Sequence, residues 1–64
     1  MKHLNDFTFG DMEYSTYLEL HGEDDGYICD IKNASGELVE GRTGFRCEVE
    51  AVDWAEAFLL EHYT

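Results

Sequence analysis

Polar and apolar residues alternate from Glu13 to His21: Tyr14, Thr16, Leu18 and Leu20 fall on one side, and Glu13, Ser15, Tyr17, Glu19 and His21 on the other. A period of two predicts a half-buried strand. The pattern breaks at Gly22-Glu23-Asp24-Asp25-Gly26, where two glycines flank three acids, the composition of a hairpin loop. Tyr27 to Lys32 reads as a second strand, built on Tyr27, Ile28 and Ile31, and Asn33-Ala34-Ser35-Gly36 as a tight turn. Glu37 to Arg42 reads as a third strand with Leu38 and Val39 as its apolar residues. Phe7-Thr8-Phe9 is either a short edge strand or a segment lying across the core.

From Glu48 to Tyr63 the period changes. Projected at about 100° per residue, Ala51, Val52, Ala55, Phe58 and Leu59 converge on one face, flanked by Trp54 and His62. Glu50, Asp53, Glu56 and Glu61 lie opposite. This is an amphipathic helix, with Glu48 and Glu50 favourably placed near its positive N-terminal end. Cys47 stands where an N-cap serine or threonine is usual, and Glu50 three residues on completes half of a capping box. The expected architecture is α+β: a three-stranded antiparallel meander with one C-terminal helix packed on one face, in a single domain covering residues 1–64. Three strands and a helix can be self-supporting where a lone hairpin is not. The other sheet face stays partly open, decorated by Tyr17 and Ile28.

Composition narrows the function. The 64 residues carry 15 acids against four lysines and arginines, a formal net charge of −11. A domain of about 60 residues buries only about 60% of its unfolded surface, which leaves little room for a deep catalytic cleft. Direct nucleic-acid binding needs clustered cations that this chain lacks. With 44% hydrophobic and 14% aromatic residues, the chain is nonetheless too apolar for a disordered acidic tail. The start, Met1-Lys2-His3-Leu4-Asn5-Asp6, does not resemble a signal peptide. The longest apolar run is Ala57-Phe58-Leu59-Leu60, far short of the roughly 20 residues of a membrane span. A cytoplasmic protein with no membrane contact, keeping Cys29 and Cys47 reduced, is the expectation.

Two family resemblances attach to these segments. Glu23-Asp24-Asp25-Gly26-Tyr27-Ile28, followed by Cys47-Glu48-Val49-Glu50-Ala51 and Ala55-Glu56-Ala57, resembles HicB-type antitoxins. Those have an acidic-Gly-aromatic strand entry and a Thr-x-x-Glu-Ala helix start. Asn33-Ala34-Ser35-Gly36 stands where that family has Pro-Asp-x-Pro-Gly, and Cys47 replaces the helix-cap threonine. Gly36, then Gly44-Phe45-Arg46-Cys47 and Glu50-Ala51, is similar to the Gly-Phe-x-Thr-x-x-Glu-Ala ending of the AP2-like N-terminal domain of tyrosine integrases. Both resemblances imply a β-β-β-α topology. The integrase domain lays a basic sheet face in the DNA groove, whereas Glu19, Asp30, Glu37 and Glu40 occupy strand positions here. In size and charge the chain also resembles phage anti-defence proteins, including anti-CRISPR proteins.

Most chemistries fail on spacing. The Glu23-Asp24-Asp25 loop lacks the twelve-residue calcium pattern, and His3, His21, His62, Cys29 and Cys47 lack zinc-ligand spacing. No carboxylate pair sits beside an apolar pocket as acid–base catalysis requires, so an enzyme is not expected, nor a cofactor or metal. The acids themselves are the leading feature. Glu50, Asp53 and Glu56 repeat every three residues, and no lysine or arginine lies between Glu48 and the end to relieve their repulsion. A net charge of about 2–8 suffices to keep a small domain soluble, and this chain exceeds that. A basic nucleic-acid-binding protein is therefore the expected partner, with a homodimer also open. The expected contact set is Glu23, Asp24, Asp25, Glu50, Asp53, Trp54, Glu56, Glu61 and Tyr17, the last on the open sheet face. Aromatics concentrate at interfaces, so Tyr27 and Tyr63 join Trp54 and Tyr17 as candidate anchors. Phe45 and Phe58 belong to the core.

Overall fold

The computed structural model describes residues 2–22 and 26–63, excepting the side chains of His21 and Tyr63. Strands β1 (Lys2–Phe9), β2 (Met12–Gly22), β3 (Gly26–Asn33) and β4 (Leu38–Phe45) are followed by helix α1 (Glu48–Tyr63). The strands form one antiparallel sheet in the order β1-β2-β3-β4. The α+β class, the meander and the C-terminal helix agree with expectation. The strand count differs: the described residues form four strands rather than the three of the expected meander, and the extra one contains Phe7-Thr8-Phe9, for which the edge-strand alternative holds.

The additional strand is β1, which pairs along β2 from Lys2↔Leu18 to Phe9↔Met12. Its period is hidden because the register shifts between His3 and Asn5. Leu4, Phe7 and Phe9 all pack against the core although Leu4 and Phe7 are an odd number of residues apart, a parity that a bulge resets. The buried Thr16 hydroxyl secures that irregularity. It accepts the Asn5 N–H at 3.1 Å and donates to the Asn5 carbonyl at 2.9 Å. Gly10-Asp11 closes the β1–β2 hairpin, with Gly10 at φ 62 and Asp11 at negative φ, the pattern of a two-residue type II′ turn.

Between β3 and β4, the Asn33 side chain organises the turn, its Oδ1 accepting the backbone N–H of Ser35 and of Glu37, each at 3.0 Å. Gly26 opens β3 at φ 71, and a Cβ there would stand 2.5 Å from the Phe45 carbonyl oxygen. No side chain fits that approach. The loop 23–25 lies outside the described residues.

The core lies between α1 and one face of the sheet. Tyr14, Ile31, Ala55 and Leu59 form one cluster, and Leu18, Cys29, Phe45 and Ala51 another. Trp54 packs against both. The fully buried Ala51 and Ala55 let the helix sit close to the strands, and Leu59 anchors its C-terminal half. Leu20, by alternation on the same sheet face, is 62% exposed, because it lies beyond both clusters.

Candidate functional surfaces

Burial of Ala51, Ala55 and Leu59 dictates what α1 shows outward: Glu50, Asp53, Glu56 and Glu61 are all exposed, as the helical period predicts. The acids are not equivalent. Glu50 Oε1 accepts the Arg46 backbone N–H at 2.8 Å, so its carboxylate closes the helix entry. The helix ladder starts with the Ala51 N–H donating to the Cys47 carbonyl, at 3.4 Å. Glu48 pairs with Lys2 from β1. Asp53 and Glu56 lie one turn apart with no cationic side chain against them among the described residues.

Trp54 is half-buried, its ring 5.4 Å from that of Phe45 and 5.8 Å from that of Phe58. Phe58 in turn stacks on His62 at 5.7 Å. The indole therefore bridges the two core clusters while sitting beside the acidic face.

Tyr17 occupies the opposite side of the sheet. Its neighbours Thr16 and Leu18 are buried beneath α1, and alternation turns Tyr17 to the uncovered face. The cross-strand row there runs His3, Tyr17, Asp30 and Gly41. The His3 ring meets Tyr17 edge-on at 5.5 Å, and Lys32 Nζ lies 5.3 Å from the Tyr17 ring centroid. Such a cation–π contact contributes about 0.5–1 kcal/mol at an exposed site. Glu19 and Ile28 pair on the same face. The expected contact residues are thus split: Asp53 and Glu56 face one way, Tyr17 the other, and Glu23, Asp24 and Asp25 lie outside the described residues.

The same face holds a group that the sequence pattern did not expose. Asp6 Oδ1 accepts the Ser15 hydroxyl at 2.8 Å and lies 2.7 Å from His3 Nε2. These bonds, His3 first and Ser15 second, hold the Asp6 carboxyl below its usual value. A carboxylate so stabilised is a weak base. It separates Ser15 from His3, unlike the serine–histidine contact of a hydrolase. A depression of about 310 Å³ lies beside it, lined by Asp6, Phe7, Thr8, Glu13, Tyr14 and Ser15. The Gly10-Asp11 dipeptide between Phe7-Thr8-Phe9 and the Glu13 alternation was the available signal for this hairpin.

Cys29 is fully buried, and burial first, then the neighbouring Asp30 charge, pushes its thiol up to about 11. Cys47 is exposed. No group of three or more histidine, cysteine, aspartate or glutamate side chains among the described residues could hold a metal ion. No described helix is long and apolar enough to cross a membrane. Comparison with protein-family models, with curated proteins and with solved structures finds no match for the chain.

Proposed function

We propose that this protein is a non-enzymatic acidic inhibitor that occupies the basic surface of a nucleic-acid-binding protein and blocks nucleic-acid access, as phage anti-defence proteins do. The observation that carries this reading is the outward pair Asp53 and Glu56. They stand on a helix whose other side is locked into the core, with no cation beside them among the described residues. Rigid, unneutralised charge is what electrostatic steering toward a cationic groove requires. The overall charge supports it. A net −11 exceeds the magnitude of about 2–8 that keeps a small domain soluble.

The test is affinity capture from a host lysate with elution by a salt gradient, followed by competition between the captured protein's nucleic acid and this chain. Capture that weakens steeply with salt, and mutual exclusion with nucleic acid, support the reading. Binding unchanged by Asp53→Lys with Glu56→Lys would sink the helix face as the contact.

A second reading, an antitoxin-like or other interaction module, draws on the half-buried Tyr17 and Ile28 on the uncovered sheet face. It predicts salt-insensitive association that Tyr17→Ala abolishes.

A further inference from the structure

Strand β4 ends the sheet on one side, and its outer edge has a local symmetry of charge. It follows β3 regularly only over Glu40, Gly41 and Arg42, opposite Ile31, Asp30 and Cys29, with register shifts on both sides of that run. The Gly41 N–H donates to Glu40 Oε1 at 3.1 Å, the disposition of an edge donor turned away from β3. Because antiparallel ladders alternate, Glu40 and Arg42 then direct their backbone groups inward while Gly41 directs its own outward. An outward residue between two inward ones is where a two-fold axis can pass.

We propose that two copies of this chain associate through their β4 edges, antiparallel about Gly41, to make one continuous eight-stranded sheet. In this register Gly41 exchanges both backbone bonds with its counterpart. Glu40 lies opposite Arg42 of the second copy, and Arg42 opposite its Glu40. Both pairs fall at non-hydrogen-bonded positions, where facing Cα atoms are only about 4.5 Å apart. The contact is isologous, so one ion pair occurs twice.

Arg42 points to this occupant. It is exposed and has no carboxylate partner among the described residues, in a chain where acids outnumber lysines and arginines 15 to 4. On association Glu40 exchanges its bond to the Gly41 N–H for a guanidinium, and that N–H gains a carbonyl, so no donor is stranded. Strand β1 offers no equivalent edge. Its complementary arrangement, Lys2 against Asp6, centres on the irregularity at Leu4, and both charges already have partners. The inference is independent of the reading of the acidic helix.

Sedimentation equilibrium at about 0.15 M salt, where the Debye length is about 8 Å, tests it over a rising protein concentration. The expected mass tends to twice the chain's 7.4 kDa. Arg42→Glu and Glu40→Arg, each setting like charges across the axis, should each return the monomer mass. The double exchange, Glu40→Arg with Arg42→Glu, should restore the dimer, because it preserves complementarity. Arg42→Gln adds no repulsion and should weaken association about 2- to 30-fold. Circular dichroism checks that these exposed substitutions keep the fold. A wild-type chain that stays monomeric, a dimer indifferent to the single reversals, or a double exchange that fails to restore it would overturn the proposal.

Discussion

The Glu50 carboxylate accepts the backbone N–H of Arg46 at 2.8 Å, and so the most N-terminal member of the acidic Glu50-Asp53-Glu56 series is a fastening of the helix rather than a free charge. Asp53 and Glu56 have no such duty. Glu50→Ala should therefore lower stability by about 0.5–2 kcal/mol, the usual range for a lost N-terminal cap, with little more than a local loss of charge. Asp53→Asn with Glu56→Gln should leave the melting temperature nearly unchanged while weakening binding to a basic partner. Chemical denaturation of the variants, paired with salt-dependent binding, separates the two roles. Equal stability for Glu50→Ala and wild type would show that the bond to Arg46 does not hold the helix entry.

Cys47 stands directly before α1, and its carbonyl accepts the first helical N–H. A thiol is a poor acceptor for the next free N–H groups, whereas a threonine hydroxyl is a good one. Cys47→Thr should stabilise the fold by several tenths of a kcal/mol to about 1 kcal/mol. A thermal melt reads this as an increase of a few degrees, since about 1 kcal/mol moves a domain of this size by about 4–8 °C.

Thr16 is completely buried and uses its hydroxyl on both backbone groups of Asn5. Thr16→Val keeps the shape and removes both bonds, leaving a part-buried N–H and C=O of β1 without a partner. The expected loss is about 1–3 kcal/mol, with hydrogen exchange accelerated first in β1. Unchanged exchange at Asn5 would show that β1 is held by its ladder alone.

The two thiols should separate cleanly by reactivity. Cys47 is exposed and Cys29 fully buried, so one thiol should react with an aromatic disulfide reagent in the native protein and two after unfolding. The folded Cys29 thiol is raised from an ordinary 9.0 to about 11. Its contribution to stability is intact below pH 9 and is lost as pH rises toward 11, because there the unfolded chain releases the proton that the folded chain retains. Cys29→Ser should not be used as the control, since it buries a hydroxyl in that site. Cys29→Ala, compared with wild type across pH 8 to 11, should flatten this alkaline loss.

Asp6 behaves in the opposite sense. His3 and Ser15 hold its carboxyl below the usual value, so the network's contribution is present above pH 3.8 and disappears as pH falls further. Asp6→Asn should lower stability near neutrality, where the contribution is present, and change it little at pH 2, so that the acid-side dependence flattens, as read by denaturation at pH 2 to 7.

Period and turn chemistry carried β2, β3 and α1 into view directly. Tyr14, Thr16 and Leu18 needed only an alternation of two, Ala51, Ala55 and Leu59 only a helical period, and Asn33-Ala34-Ser35-Gly36 only its turn residues. Strand β1 showed only at Phe7-Thr8-Phe9, as one of two alternatives, because Leu4 and Phe7 reach the same core across a register shift, and a bulge erases the regularity that a strand otherwise writes into its residues. The amino-acid order by itself thus determined the α+β class, the helix with its acidic outer side, and the large excess of carboxylates. Only the tertiary structure decided which carboxylates are engaged, that Tyr17 and Asp53 look in opposite directions, and that Arg42 lies on an open edge with no carboxylate partner among the described residues. Those depend on contacts between residues distant along the chain, such as Lys2 with Glu48 and Asn5 with Thr16, and local periodicity holds no record of such distances.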